Sequence, residues 1–186
     1  MDRMSLLLIM WFAVCVGCSR RTKEWNAEHY FSKPEVIALC DAIRNDNIKS
    51  ATELLDAGAD ANAKGRDNMT PLVFSLRYSR TDAFQLLLER GADPNVVFRS
   101  GFGTSSEKND TVVHKTARGK DFGQFESVMK HGGDANLVGT RWSRTPIFEA
   151  IDGNNRVVDR IKLLIESGAD INFVDELHYT PLIYSC

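Results

Sequence analysis

A five-residue turn signature occurs four times in this chain. It reads Gly58-Ala59-Asp60-Ala61-Asn62, Gly91-Ala92-Asp93-Pro94-Asn95, Gly132-Gly133-Asp134-Ala135-Asn136 and Gly168-Ala169-Asp170-Ile171-Asn172. Asp60 and Asp93 stand 33 positions apart. An opening signature recurs in step: Thr70-Pro71-Leu72, Thr111-Val112-Val113-His114, Thr145-Pro146-Ile147-Phe148 and Thr180-Pro181-Leu182. A repeat of this length means a stack of small units, each packed only on its neighbours.

The residues between the signatures say what each unit is. Thr70 suits a helix N-cap, and Pro71 suits the first helical position, where the missing N–H would have no partner anyway. Leu86, Leu87 and Leu88 give a second helix its apolar side, and Gly91 stops it. Two short helices cannot bury their apolar faces alone, so each pair needs a copy beside it. The same logic puts a helix from Pro34, with Val36, Ile37, Leu39, Cys40, Ala42 and Ile43 inward, and another carrying Ile48, Ala51, Leu54 and Leu55. Phe122, Phe125, Val128 and Met129 form the stripe of the third unit, and Leu163-Leu164-Ile165 that of the fourth. The third unit is the most degraded. Val112 replaces the proline, Lys115-Thr116 replaces apolar residues, and Gly119 and Gly123 each weaken a helix by roughly 1 kcal/mol. It is expected to be the softest.

The connections differ in length. Asn62 to Thr70 is 8 positions, Asn95 to Thr111 is 16, and Asn136 to Thr145 is 9. The long one starts with strand-forming Val96-Val97-Phe98 and continues through Gly101, Phe102, Gly103 and serines, which suit a hairpin tip. The third reads Thr140-Arg141-Trp142-Ser143-Arg144.

With both signatures in register, the chain resembles the ankyrin-repeat family from about Pro34 onward. The resemblance implies an all-α fold, an ankyrin-repeat solenoid of helix–turn–helix units joined by β-hairpin fingers. It also implies an interaction module without catalysis. His114 matches the family's opening-tag histidine, whose implied job is hydrogen bonding within the repeat. Leu76 departs from the family's small alanine, and its bulk implies a widened gap or a shifted helix. Insertions in such arrays map to one face, often the binding face. Candidate partner contacts are therefore Phe98, Arg99 and Phe102 in the long finger and Arg141, Trp142 and Arg144 in the next, since Trp and Arg dominate hot spots. Packing between fingers is the competing role for Phe98, Phe102 and Trp142.

The N-terminus carries a separate signal. Ser5 to Val14 is an apolar core of signal-peptide length, shorter than the roughly 20 residues that span a bilayer. Cys15-Val16-Gly17-Cys18 resembles a bacterial lipobox, with Cys15 where that motif usually has Leu, Val or Ile. The resemblance implies lipidation of Cys18. Ser19 after the cysteine resembles outer-membrane sorting. Secretion with a free Cys18 and an uncleaved anchor are the alternatives. The expected plan is a signal peptide at 1–17, a lipidated tether and N-terminal cap at 18–33, and repeats at 34–186, about four plus a C-terminal partial repeat. Trp25, His29, Tyr30 and Phe31 are expected to include the residues that cap the open end of the first repeat.

Net charge of −2 gives no bulk attraction to nucleic acid. The four histidines have no second His or Cys at ligand spacing, so no metal or cofactor is expected. Gly101-Phe102-Gly103 lacks the third glycine of a dinucleotide fingerprint, which Ser106 replaces. Asp60, Asp93, Asp134 and Asp170 lie at repeat spacing and read as loop hydrogen-bond acceptors that stitch the tags. The stretch from His29 to Cys40, followed by degenerate repeats, is similar to a group of bacterial ankyrin lipoproteins, some of which are immunity partners of periplasm-acting toxins such as phospholipase effectors. That resemblance implies a membrane-anchored protein facing the periplasm and a protein partner, with a secreted toxin as its specific form. A structural envelope scaffold is the alternative. An envelope enzyme or metal-binding stress protein is a further one, against which the missing catalytic clusters speak.

Overall fold

A computed structural model describes residues 26–99, 109–139, 142–153 and 155–186. The expected signal segment at 1–17, Cys18, Trp25, Phe102 and Arg141 lie outside the described residues. A short helix α1 (Ala27–Tyr30) leads in. Four helix pairs follow: α2 (Pro34–Arg44) with α3 (Ile48–Asp56), α4 (Pro71–Arg77) with α5 (Thr81–Glu89), α6 (Val112–Ala117) with α7 (Phe122–Lys130), and α8 (Pro146–Ile151) with α9 (Val157–Glu166). Helix α10 (Pro181–Tyr184) opens a fifth unit. This is the all-α repeat solenoid expected from the sequence.

The turn signatures work as their chemistry dictates. Gly58, Gly91, Gly132 and Gly168 all have φ between 80° and 95°, which ends each second helix in the left-handed region. The N–H of Ala92 then reaches back to the carbonyl of Leu87 at 2.9 Å, and Ala59, Gly133 and Ala169 repeat the bond. The aspartates accept from their own turn, as Asp93 Oδ1 does from the N–H of Asn95 at 2.8 Å. The stitching between repeats belongs to the asparagines. Asn95 Nδ2 donates to the carbonyl of Gly132 at 3.0 Å, and its Oδ1 accepts from the N–H of Asp134 at 2.8 Å. Asn62 and Asn136 do the same for their neighbours.

The core runs continuously through the stack, with Phe74, Phe84, Phe125 and Phe148 fully buried. First helices pack on first helices and second on second. Leu76 is partly buried against the core. Thr70, Thr111 and Thr180 cap their helices through the hydroxyl. Thr145 does not, because the Phe148 N–H that it would bind is taken by the Thr145 carbonyl at 3.1 Å. At the N-terminal end Ala27, Tyr30 and Phe31 are buried over the first pair. Burial pushes the Tyr30 phenol up to about 12.

Candidate protein-binding surface

The connections form a row of fingers along one edge. Only the long one is a paired hairpin among the described residues: β1 (Val97–Arg99) lies antiparallel to β2 (Asn109–Thr111), with Val97 opposite Thr111. The others are tight turns, closed by Gly65 N–H to the Met69 carbonyl, Gly139 N–H to the Arg144 carbonyl and Asp175 N–H to the Tyr179 carbonyl.

Trp142 sits at the tip of the turn that closes at Gly139 and Arg144. It is 42 % exposed, and its φ is 59°. Asp67 occupies the matching place in the first finger with the same φ. Left-handed backbone is ordinary for Asp and rare for a bulky aromatic, where it costs on the order of 1 kcal/mol. A Trp held in that conformation, and outside the buried core, contributes less to folding than a core aromatic does. Its carbonyl accepts from the N–H of Glu176 at 3.1 Å, and Ser143 Oγ hydrogen bonds the Glu176 carboxylate. The two finger tips are thereby joined. Leu177 and Tyr179, each 42 % exposed, stand on the second of them, and exposed Val138 stands on the first.

Two expected contacts belong to the interior instead. Phe98 is 2 % exposed. Strand β1 alternates outward, inward, outward, and Phe98 takes the inward place. Arg144 is buried: its Nε donates to the buried Asp175 at 2.8 Å, and its guanidinium lies 4.0 Å from the Tyr184 ring centroid and 5.3 Å from that of Phe148. It fastens the third finger to the fourth. Arg99 is exposed and pairs with Asp67 at 3.9 Å. Phe102 and Arg141 lie outside the described residues.

Behind the fingers lies a polar network that local sequence patterns do not reveal. His114 Nε2 meets the Arg144 carbonyl at 2.9 Å and Nδ1 meets Thr111 Oγ1 at 2.7 Å, which ties the histidine to its own repeat and to the next finger. Burial holds its pKa below the usual imidazole value, against the raising effect of the Arg144 carbonyl. Arg118 bridges Asp110 at 2.6 Å and Glu149 at 2.7 Å. Arg160, fully buried, donates to the carbonyls of Thr116, Ala117 and Gly119 at 2.7, 3.0 and 2.7 Å. It closes the end of α6, so the most degraded repeat is tied by one cation at the end of its own first helix, Arg118, and one from the second helix of the next unit, Arg160. Among the described residues no three His, Cys, Asp or Glu side chains gather as for a metal ion, and no helix is long and apolar enough to cross a membrane.

Stacked helix pairs, a ladder of turn asparagines and a finger edge with outward aromatics define a helical-repeat interaction array. A family model described as ankyrin repeats (3 copies) matches residues 11–97 and a single-repeat model matches residues 142–176, together more than half of the sequence. The chain belongs to the ankyrin-repeat family. It is similar to the human mitochondrial disaggregase (29 % identity over 174 residues, 80 % of this chain and 24 % of that protein). It is also similar to the putative ankyrin repeat protein FPV222 of Fowlpox virus (28 % identity, 80 % of this chain and 18 % of that protein) and to the protein lin-12 of Caenorhabditis elegans (27 %, 68 % and 8 %). The chain spans a quarter or less of the length of these relatives. Repeats of this family imply protein–protein interaction.

Proposed function

We propose that this chain is a lipid-anchored envelope protein that binds a secreted toxin through its finger edge and neutralises it. The observation that carries the binding part is Trp142, exposed in a left-handed backbone on a finger tied to its neighbour. Strain at an exposed aromatic is a cost to folding that a binding role accounts for. Trp142, Leu177 and Tyr179 supply the kind of rigid aromatic and aliphatic anchors that dominate interfaces. A toxin held there would be blocked by occlusion of its active site or membrane face, over about 1,600 Å² of total buried surface. The envelope part rests on Ser5 to Val14 and Cys18, which resemble a lipoprotein signal, and places the protein on the outer membrane facing the periplasm. The toxin part rests on the resemblance of the His29 to Cys40 stretch to immunity lipoproteins, with a phospholipase effector as the partner that resemblance implies.

The test has two arms. Purified chain is mixed with the secreted fraction of its own cells, and captured proteins are identified by mass spectrometry and assayed for lipase activity. One lipase at equal stoichiometry, inactive while bound, is the expected result. Resident envelope proteins alone would replace the toxin reading with a scaffold. In the second arm, Cys18→Ser should abolish palmitate labelling and membrane retention; unchanged labelling would sink the anchor.

A further inference from the structure

We infer that the cleft between the N-terminal cap and the first finger is a second recognition site, which takes a carboxylate-rich segment of the partner protein. The inference rests on the protein-binding reading above and adds the chemistry of one part of the partner. The cleft measures about 370 Å³ and is lined by Tyr30, Phe31, Lys33, Asp60, Lys64 and Arg66, among others. Its closeness is built in. A Cβ on Gly65 would lie 2.5 Å from the Tyr30 carbonyl and 2.9 Å from the Phe31 ring, so only glycine lets the finger approach the cap this closely.

The charges are what select the ligand. Seven described arginines (44, 80, 90, 99, 118, 144 and 156) stand within 4.0 Å of a carboxylate. Arg66 does not: among the described residues its guanidinium meets Nε2 of His29 at 3.3 Å, a partner that brings no negative charge. Lys33 and Lys64 are exposed and form no ion pair among the described residues. Asp67 faces Arg99 at 3.9 Å, while Asp60, the one acid of the lining, accepts from the Asn62 N–H at 2.8 Å and keeps its charge. Among the described residues the cleft thus offers three cations without a carboxylate partner against that single carboxylate, and one aromatic wall in a concave space. An arginine free of a carboxylate can pair with one in a two-pronged contact, and the lysine stems and the Phe31 ring can cover the methylenes of a glutamate. The cleft is also continuous with the finger edge. Asn68 of the first finger donates to the Val97 carbonyl of the next at 3.2 Å. A protein seated across the fingers would reach it, which favours a protein segment over an isolated headgroup.

The probe is a fluorescein-labelled hexaglutamate peptide, read by anisotropy against the purified chain, with hexalysine as control. Saturable binding is expected. It should weaken at least tenfold in the double variant Lys64→Glu, Arg66→Glu, and to a similar degree in Lys33→Glu, with thermal midpoints unchanged. Trp142→Ala should leave it as it was. Binding that is absent, or indifferent to these variants, would overturn the inference. So would capture by phosphatidylglycerol vesicles through the same three cations without hexaglutamate binding, which would make the cleft a headgroup site. Hexaglutamate binding together with failed toxin capture would overturn the toxin reading and leave the cleft assigned.

Discussion

Arg144 and Asp175, 31 residues apart, form a buried ion pair at 2.8 Å that locks the third finger to the fourth. Asp175 also accepts from the N–H groups of Leu177 and Tyr179, each at 2.9 Å. Removing one partner of a buried pair leaves the other charged and unsolvated, which costs about 3–5 kcal/mol. Asp175→Ala should therefore lower stability by about 3 kcal/mol in chemical denaturation. Asp175→Asn should cost less, because its amide oxygen still accepts from the turn. Burial alone would raise the Asp175 pKa, but the bonds from Tyr179, Arg144 and Leu177 outweigh it and hold the carboxyl below its usual value. A depressed carboxylate stabilises above its unfolded pKa of about 3.9 and loses that contribution as pH falls below it. Wild type should show this acid loss and Asp175→Asn should lack it.

His114 sets a second pH dependence, at higher pH. Its folded pKa lies below the unfolded value of about 6.5 because burial disfavours the imidazolium. The unfolded chain then takes up a proton that the folded chain refuses. Stability is full above about pH 6.5 and falls below it, by up to about 1.4 kcal/mol per pH unit until the folded pKa is reached. Thermal unfolding between pH 7.5 and 5 should show this slope. His114→Ala should be less stable at pH 7.5, through the lost bonds to Thr111 and Arg144, and should lack the His114 part of the slope.

Arg160 tests the tie on the third repeat. Its guanidinium lies 5.5 Å from the Phe125 ring centroid and serves the three carbonyls that end α6. Arg160→Met keeps most of the volume and removes every donor. The Thr116 carbonyl keeps the Gly119 N–H at 3.1 Å, but that of Ala117 is left in a dry place, at about 1–3 kcal/mol for an unsatisfied group. A loss of about 1–3 kcal/mol is expected, with amide exchange rising first in 112–130.

The repeating parts of this fold were legible because they are local. A glycine in a left-handed turn, a capping threonine and an i, i+3, i+4 stripe each declare themselves within a few residues, and the 33-residue spacing of Asp60 and Asp93 supplied the stack. The candidate surface was legible only in part. Trp142 stood out because a finger offers little core to fill. Phe98 was misplaced, although Val97-Phe98-Arg99 alternates as a half-buried strand does. Arg144 was misplaced because its partner, Asp175, lies one repeat away, and charge near a Trp reads the same whether it is buried or free. Leu177 and Tyr179 were missed because the fourth finger has no insertion to draw attention to it. Their one available signal was the pair of large apolar residues flanking His178 in a turn.

Trp142 separates binding from folding. Its ring is exposed and its backbone strained, so Trp142→Ala should leave the thermal midpoint nearly unchanged, and Trp142→Gly should raise it slightly by relieving the left-handed backbone. Both should weaken partner capture at least tenfold, as loss of a hot-spot anchor does. A large fall in midpoint for the alanine variant would make Trp142 a core residue.

The most direct measurement is hydrogen–deuterium exchange on the chain with and without its captured partner. Protection is predicted at the finger turns, residues 137–143 and 174–179, with the outer faces of α3, α5 and α7 unchanged. Protection confined to those second helices, with the finger turns exchanging as in the free chain, would contradict a finger-edge binding site.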